Sequence, residues 1–233
     1  MKSSINKLLA LAIFLIFTSS LLAQTTLSGG ADFVSRYVWR GLDFGNSGSI
    51  QPSLSLAAGN FEVGFWGSYP FTNDASGAEE MDLYMSYSIS DFSLIVTDYY
   101  YPNSAYKYGN YKDDQEGGHI IEAGLSFAGN EKFPISLAAY MNLYNDNDHS
   151  VYFEVGYSTE IETVGLDLFV GGTPGGEKLM WYKTDKFNLI NVGVKVSKDI
   201  KITDDFALPI FTSYVLNPNQ EVSYLIFGAS LSM

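Results

Sequence analysis

Apolar and polar side chains alternate along most of the chain after residue 25. Within residues 61–71, every second position is apolar, aromatic or glycine, and the positions between them include Glu62, Ser68 and Pro70. The same alternation runs through residues 50–58 and 133–143. A period of two predicts β-strands with one apolar face, and no run has the spacing of a helix. The pattern therefore predicts an all-β protein.

The alternating runs predict twelve strands, with eight, ten and fourteen as alternative counts. Each is long enough to cross a membrane as a tilted strand, which takes about 9–11 residues. One strand changes phase near Leu189 and Ile190, and this predicts a β-bulge. The predicted strands are 27–41, 50–59, 61–71, 80–90, 92–102, 118–128, 133–144, 150–160, 162–172, 187–197, 205–216 and 221–233.

The connections between the predicted strands alternate in length. Tight turns fall at 59–60, 90–91 and 161–162, with a slightly longer one at 129–132. Outer-membrane barrels have this rhythm of short periplasmic turns and long external loops, and a soluble sandwich has no reason to keep it. The predicted fold is an antiparallel up-and-down transmembrane β-barrel. The longer polar links are 42–49, 72–79, 103–117, 145–149 and 173–186.

Charged side chains fall on the faces opposite the apolar ones. A barrel with a polar lumen has its apolar face outward, whereas a soluble sandwich has it inward. Twelve apolar faces exceed what one sandwich interior needs, so we expect the charged set to line the lumen. Its members are Asp32, Arg36, Arg40, Glu62, Asp82, Glu122, Glu154, Asp167 and Lys195. Arg36 and Arg40 are expected four residues apart on one face of the first strand.

Aromatic residues cluster at the two ends of the predicted strands, as two membrane-interface girdles would require. At the end with short turns these are Phe61, Phe92, Phe127, Phe133 and Phe206. At the end with long loops they are Tyr37, Trp39, Tyr69, Phe71, Tyr100 and Tyr214.

Residues 1–23 have the pattern of a cleaved signal peptide. The basic residues Lys2 and Lys7 come before an apolar run at 8–17. Cleavage is expected after Ala23. The run is short for a spanning helix, which needs about 20 apolar residues. We therefore expect export, and a single barrel domain over residues 24–233.

Composition narrows the function further. The chain has 233 residues, 13 Lys and Arg, 26 Asp and Glu and a formal net charge of −13. This balance argues against a nucleic-acid partner, because phosphate contacts need clustered basic side chains. There is no cysteine, which excludes disulfides and thiolate metal sites.

No catalytic constellation is recognisable. His119 and His149 are the two histidines, and Ser150 points to the opposite face from His149 if both lie on a strand. We predict no enzyme activity, no cofactor and no resident metal, and a membrane hydrolase is the third hypothesis. The acidic runs 113–116 and 145–148 offer oxygen ligands for Ca²⁺, but neither has the spacing of an EF-hand.

The chain resembles the TorF family, a bacterial outer-membrane family of poorly defined function. The resemblance rests on an aromatic-Arg-Gly motif at Trp39, Arg40 and Gly41, followed in order by shorter matches. It covers most of the chain after the signal peptide and implies an outer-membrane barrel, with a channel as its expected role. The further matches are Gln51, Pro52, residues 64–68, Glu80, Asp82, Tyr84, Tyr87, residues 99–102 and Glu122.

Our leading hypothesis is a porin-like channel of the bacterial outer membrane for passive diffusion of small hydrophilic solutes. Acidic side chains outnumber basic ones in the expected lumen, which favours a weak preference for cations. The alternative is a non-conducting barrel that binds a ligand or partner through segments 103–117 and 173–186. A barrel of about eight strands is filled by side chains, whereas 16–18 strands leave an open channel, and twelve lies between.

The expected partners follow from this placement. They are outer-membrane lipid and lipopolysaccharide, small hydrophilic solutes and the barrel-assembly machinery. The last strand alternates to the final residue as that machinery requires, although Met233 stands where a terminal aromatic residue is usual.

Overall fold

The computed structural model describes residues 25–72, 79–102, 107–112, 117–179 and 181–233. The predicted signal peptide and the acidic run 113–116 lie outside these ranges. The strands are β1 (Thr25–Val34), β2 (Val38–Trp39), β3 (Leu42–Asp43), β4 (Ser49–Ala58), β5 (Phe61–Pro70), β6 (Glu80–Ile89), β7 (Phe92–Tyr100), β8 (His119–Phe127), β9 (Ile135–Tyr144), β10 (Val151–Ile161), β11 (Val164–Thr173), β12 (Asn188–Lys201), β13 (Ala207–Asn217) and β14 (Val222–Ser232).

Within the described residues, twelve of these strands form one closed antiparallel barrel. From β4 to β14, each strand pairs with the next along the chain. The barrel closes because β1 pairs on one side with β4 and on the other with β14, where Gly30 is opposite Ser232. Strands β2 and β3 pair only with each other. The predicted fold class and strand count are confirmed.

The first strand is shorter than predicted. The prediction of one strand over 27–41 is wrong beyond Val34, where the chain leaves the barrel wall. Ser35 still bonds β14, donating its N–H to the carbonyl of Phe227 at 2.8 Å. Residues 38–43 then form the separate β2–β3 hairpin.

The predicted bulge in the tenth wall strand is confirmed. The register of β11 and β12 shifts between Gly171 and Gly172, which are opposite Asn191 and Leu189. Ile190 is the extra residue, and its side chain is fully buried. A bulge re-aims a side chain, and here it turns an aliphatic group toward the interior.

Short turns gather at one end of the barrel, which we name the turn end, and the opposite end is the loop end. Gly59, Ser90 and Glu162 in these short turns have positive φ values of 61°, 53° and 59°. Positive φ matches the twist of a tight β-hairpin, so these turns connect neighbouring strands without splaying them.

The outer face of the barrel is apolar and exposed. Within the described residues, no helix is long and apolar enough to span a membrane. Alternation places the polar positions of the same strands inside, as the sequence predicts. Exposed outer side chains include Leu27, Leu54, Leu56, Leu83, Met85, Leu94, Leu125, Leu137, Leu168, Leu225 and Phe227.

Candidate functional site: the lumen and its inward hairpin

The β2–β3 hairpin turns on Arg40 and Gly41. Trp39 pairs with Leu42, so these two residues form the whole turn. Both have positive φ, 48° for Arg40 and 76° for Gly41, as a type I′ turn requires. A Cβ atom on Gly41 would lie 1.9 Å from the carbonyl oxygen of Ile190, so this position admits only glycine.

Arg40 attaches the tip of the hairpin to the barrel wall. Its Nη1 lies 2.5 Å from Oε2 of Glu122 and its Nη2 donates to Oε1 at 2.9 Å, a bidentate ion pair with an Arg40 side chain only 9% exposed. Tyr99 donates to the same Oε1 at 2.8 Å. The Tyr182 hydroxyl accepts from Nη1 at 3.2 Å. Burial raises the pKa of Tyr182 to about 12, and the charge of Arg40 opposes the rise.

Aromatic rings enclose the same guanidinium. Its central carbon lies 4.2 Å from the ring centroid of Tyr140 and 4.6 Å from that of Tyr152. Each ring lies against a glycine of a neighbouring strand. Tyr140 on β9 lies against Gly124 on β8, and Tyr152 on β10 lies against Gly171 on β11. The missing side chains keep both rings close to the wall, which leaves room for Arg40 between them. Cation–π contacts of this kind are strongest where water is excluded.

Contacts on both sides show that the hairpin crosses the lumen. Tyr37 donates to Oε2 of Glu80 on β6 at 2.8 Å, and its ring lies 5.4 Å from that of Trp66 on β5. On the far side, Nδ2 of Asn217 on β13 donates to the Gly41 carbonyl at 3.0 Å. The hairpin and its flanking residues therefore bridge opposite walls near the loop end.

Aromatic side chains fill the space on the loop side of the hairpin. Trp181, from the β11–β12 connection, lies 5.8 Å from Trp39, 6.4 Å from Phe44 and 6.1 Å from Tyr101 between ring centroids. Trp39 also meets Tyr99 edge-on at 5.8 Å. This aromatic cluster and the hairpin together narrow the loop end of the lumen.

Two of the cavities formed by the described residues lie inside the barrel. One of about 220 Å³ is lined by Arg36, Arg40 and Lys195 among others. A larger one of about 420 Å³ is lined by Asp32, several serines, Trp66 and Tyr84. Gln51 lines both. Both cavities combine polar with apolar lining, and Arg40 at the hairpin turn lines the smaller one.

The structure places the nine predicted lumen residues as follows. Arg36, Arg40 and Lys195 meet at the smaller cavity, and Asp32 is in the larger. Glu122 holds Arg40, and Asp167 is directly opposite Lys195 in the β11–β12 register. Glu154 bonds Tyr152 and Asn191, Glu62 accepts from Tyr84 at 3.0 Å, and Asp82 is buried on β6.

Four positions of the first predicted strand are corrected. Arg36 and Arg40 do not share a strand face, because Arg40 is at the hairpin turn and Arg36 pairs with Asp43 at 2.7 Å. Tyr37 and Trp39 are not part of an outer girdle, since both contact interior residues. The Arg-Gly pair between Trp39 and Leu42 was the available signal, since a two-residue turn ending in glycine is typical of hairpins.

In the described part of the chain, the side chains of both histidines contact carboxylate or carbonyl oxygens. Nδ1 of His119 lies 2.8 Å from Asp98 and Nε2 lies 2.6 Å from the Tyr108 carbonyl, beneath Tyr111, whose ring stacks on His119 at 3.8 Å. Burial and its bond to Asp98 raise the pKa of Tyr111. Nδ1 of His149 lies 3.0 Å from the Asn142 carbonyl.

The acidic run 145–148 is committed to protein donors. Asp146 accepts from Nδ2 of Asn142 at 2.7 Å and from the N–H groups of Asp148 and Ser150 at 3.0 Å each. Such bonds organise a loop rather than a Ca²⁺ site. Among the described residues, no group of three or more His, Asp or Glu side chains is arranged to hold a metal ion.

Comparison with known proteins identifies a family for this chain. A family model described as a bacterial protein of unknown function (Gcw_chp) matches residues 21–204. The chain belongs to the Gcw_chp family. No curated protein matches the chain significantly.

The fold of this Gcw_chp protein is similar to those of solved outer-membrane barrels. The KdgM porin superposes with a TM-score of 0.50 at 10% identity, covering 88% of this chain and 97% of that chain. The COG4313 outer membrane channel from Pseudomonas putida F1 gives a TM-score of 0.44 at 11% identity, covering 91% of this chain and 96% of that chain. The likeness to the KdgM porin shows the fold alone.

Proposed function

We propose that this protein is an outer-membrane channel for passive diffusion of small hydrophilic solutes, constricted by the β2–β3 hairpin. The observation that carries the proposal is the pair of cavities, each lined in part by charged and polar side chains, inside a closed barrel with an apolar outer face. Side chains that line such an interior set which solutes pass.

The lumen charges favour a weak preference for cations. Arg40 is neutralised by Glu122, Arg36 by Asp43, and Lys195 is opposite Asp167. Once these pairs are set aside, an acidic excess of four remains among the nine predicted lumen residues, made up of Asp32, Glu62, Asp82 and Glu154. This excess raises the local concentration of cations in a narrow pore.

The cellular setting follows from the same features. We propose that residues 1–23 are removed on export and that residues 24–233 form the mature barrel. Its apolar belt would contact outer-membrane lipid and lipopolysaccharide, and its last strand would be read by the barrel-assembly machinery. The TorF resemblance supports this setting, because it implies an outer-membrane barrel. The motif that carries the resemblance, Trp39, Arg40 and Gly41, forms the hairpin tip.

A second candidate function is a non-conducting barrel that binds a partner at its loop end. The packing of Trp181 against Trp39, Phe44 and Tyr101 favours it, because an aromatic cluster at the mouth both closes a lumen and offers a binding surface.

Single-channel recording separates the two functions. The purified barrel is reconstituted into planar bilayers under a salt gradient, beside the Arg40→Ala variant, and folding is checked by heat-modifiable migration. Discrete current steps with a reversal potential that favours cations are expected. A folded barrel that gives no current in either form contradicts the channel and favours the binding function.

A further inference from the structure

Two buried carboxylates lie together on the inner face of β6. Glu80 is 2% exposed and Asp82 is 6% exposed, and their spacing of two places both side chains on one face. The two arginines of the hairpin region are engaged elsewhere, Arg40 with Glu122 and Arg36 with Asp43. Isolated buried charges are costly, so this pair requires a positive partner or a proton.

Two buried oxygen atoms on the neighbouring strands β5 and β6 have no hydrogen-bond partner among the described residues. They are Oδ1 of Asp82 and Oγ of Ser68, which is 0% exposed. Ser68 is directly opposite Glu80 in the β5–β6 register, so its hydroxyl belongs to the same cluster. Buried polar atoms are normally satisfied, and an unsatisfied pair in one spot indicates a missing ligand.

The donor set is made of oxygen alone. It comprises the carboxylates of Glu80 and Asp82 and the hydroxyl of Ser68, and Tyr37 donates to Oε2 of Glu80 at 2.8 Å. Carboxylate and hydroxyl oxygens are the ligands of hard cations, and Ca²⁺ accepts irregular geometry with water in the remaining positions. We propose that Glu80, Asp82 and Ser68 form a binding site for a divalent cation, with Ca²⁺ as the best match.

The site has a structural consequence for the hairpin. A cation on the pair would keep Glu80 ionised, and an ionised acceptor strengthens the bond from Tyr37. Binding would therefore hold one flank of the hairpin to β6. Because only two carboxylates contribute, we expect a dissociation constant of about 10⁻⁴–10⁻³ M.

Terbium luminescence tests the site directly. The purified barrel in detergent is titrated with Tb³⁺, excited through the nearby Tyr37 and Trp66 rings, and Ca²⁺ is then added as competitor. Glu80→Gln and Asp82→Asn keep the shape of each side chain and remove its charge. Glu62→Gln is the matched control, since Glu62 also faces the interior and accepts from a tyrosine, Tyr84, but lies near the turn end.

We expect Ca²⁺-displaceable emission from the wild type and from Glu62→Gln, with affinity at least about tenfold weaker in Glu80→Gln and Asp82→Asn. Heat-modifiable migration confirms that each variant is folded, and Ser68→Ala provides a milder substitution if either does not fold. Absence of Ca²⁺-displaceable emission, or equal emission from all folded variants, overturns the site and leaves a shared proton on the pair. Terbium luminescence does not depend on conduction through the barrel. A negative result would therefore argue against the cation site without arguing against the channel.

Discussion

The loop end and the turn end of the lumen are built in different ways. At the loop end, Arg40, Glu122 and Tyr182 form a buried network in which charges are paired and rings exclude water. Toward the turn end, a cavity of about 420 Å³ is lined mainly by small polar side chains and a single charged group, Asp32. If the barrel conducts as proposed, this contrast predicts that the hairpin offers most of the resistance to passing ions.

Removing Arg40 should have the largest effect on this contrast. Arg40→Ala leaves Glu122 buried without its partner, and breaking such a pair costs about 3–5 kcal/mol. We expect the hairpin to leave the lumen, conductance to rise and the amides of residues 38–43 to exchange hydrogen faster.

Arg36→Ala is the matched control for that change. Its ion pair with Asp43 is partly exposed, with 32% of the Arg36 side chain accessible, and such pairs contribute about 0–1 kcal/mol. Equal conductance changes in the two variants would show that the Arg40 pair does not hold the constriction.

Crowding the hairpin turn should have the next largest effect. Gly41→Ala adds a Cβ atom 1.9 Å from the Ile190 carbonyl at a φ of 76°, and strain of this kind costs about 1–3 kcal/mol. We expect faster amide exchange in β2 and β3 and higher conductance. Gly109→Ala is the control, because a Cβ atom there meets nothing within 4 Å. If the two variants behave alike, the turn is not confined by the wall.

Alkaline pH should weaken the loop end specifically. Burial raises the pKa of Tyr182 to about 12, above its usual value of about 10 in an unfolded chain. A raised folded pKa means that the stabilisation is complete below about pH 10 and is lost as the pH rises through about 12. Its size is up to about 3 kcal/mol, since one pKa unit corresponds to about 1.4 kcal/mol.

The free energy of unfolding of the barrel, measured at equilibrium from about pH 9 to about pH 12, reports this loss. Tyr182→Phe should show a flatter pH profile, whereas Tyr214→Phe, on the exposed outer face, should follow the wild type. A Tyr182→Phe profile that matches the wild type would exclude this tyrosine as the source.

Changing the turn end should have the smallest effect. Asp32→Asn removes the one charge that lines the larger cavity, so we expect a small shift of the reversal potential away from cation preference. Stability should stay within about 0.5 kcal/mol of the wild type. Ser53 lines the same cavity but carries no charge, so Ser53→Ala should leave the reversal potential unchanged. A large conductance change in Asp32→Asn would move the main resistance to the turn end.

The barrel fold follows from the pattern of residues along the chain. Period-two alternation forces opposite faces on every strand, and short turns at alternate connections order the strands up and down. Even the bulge at Ile190 was visible as a change of phase. The inward direction of Asp167 and Lys195 follows from the same alternation, because neighbouring strands hold them in register.

The departure of the chain from the wall after Val34, and its entry into the lumen, depend on contacts that no local pattern reveals. Residues 38–43 have strand-like side chains, and alternation is the same for a wall strand and for an inward hairpin. What distinguishes them is distant in sequence: Glu122, Ile190 and Asn217 supply the ion pair, the tight contact and the hydrogen bond. Local patterns fix the faces of a strand, but long-range contacts select where a short strand pair packs.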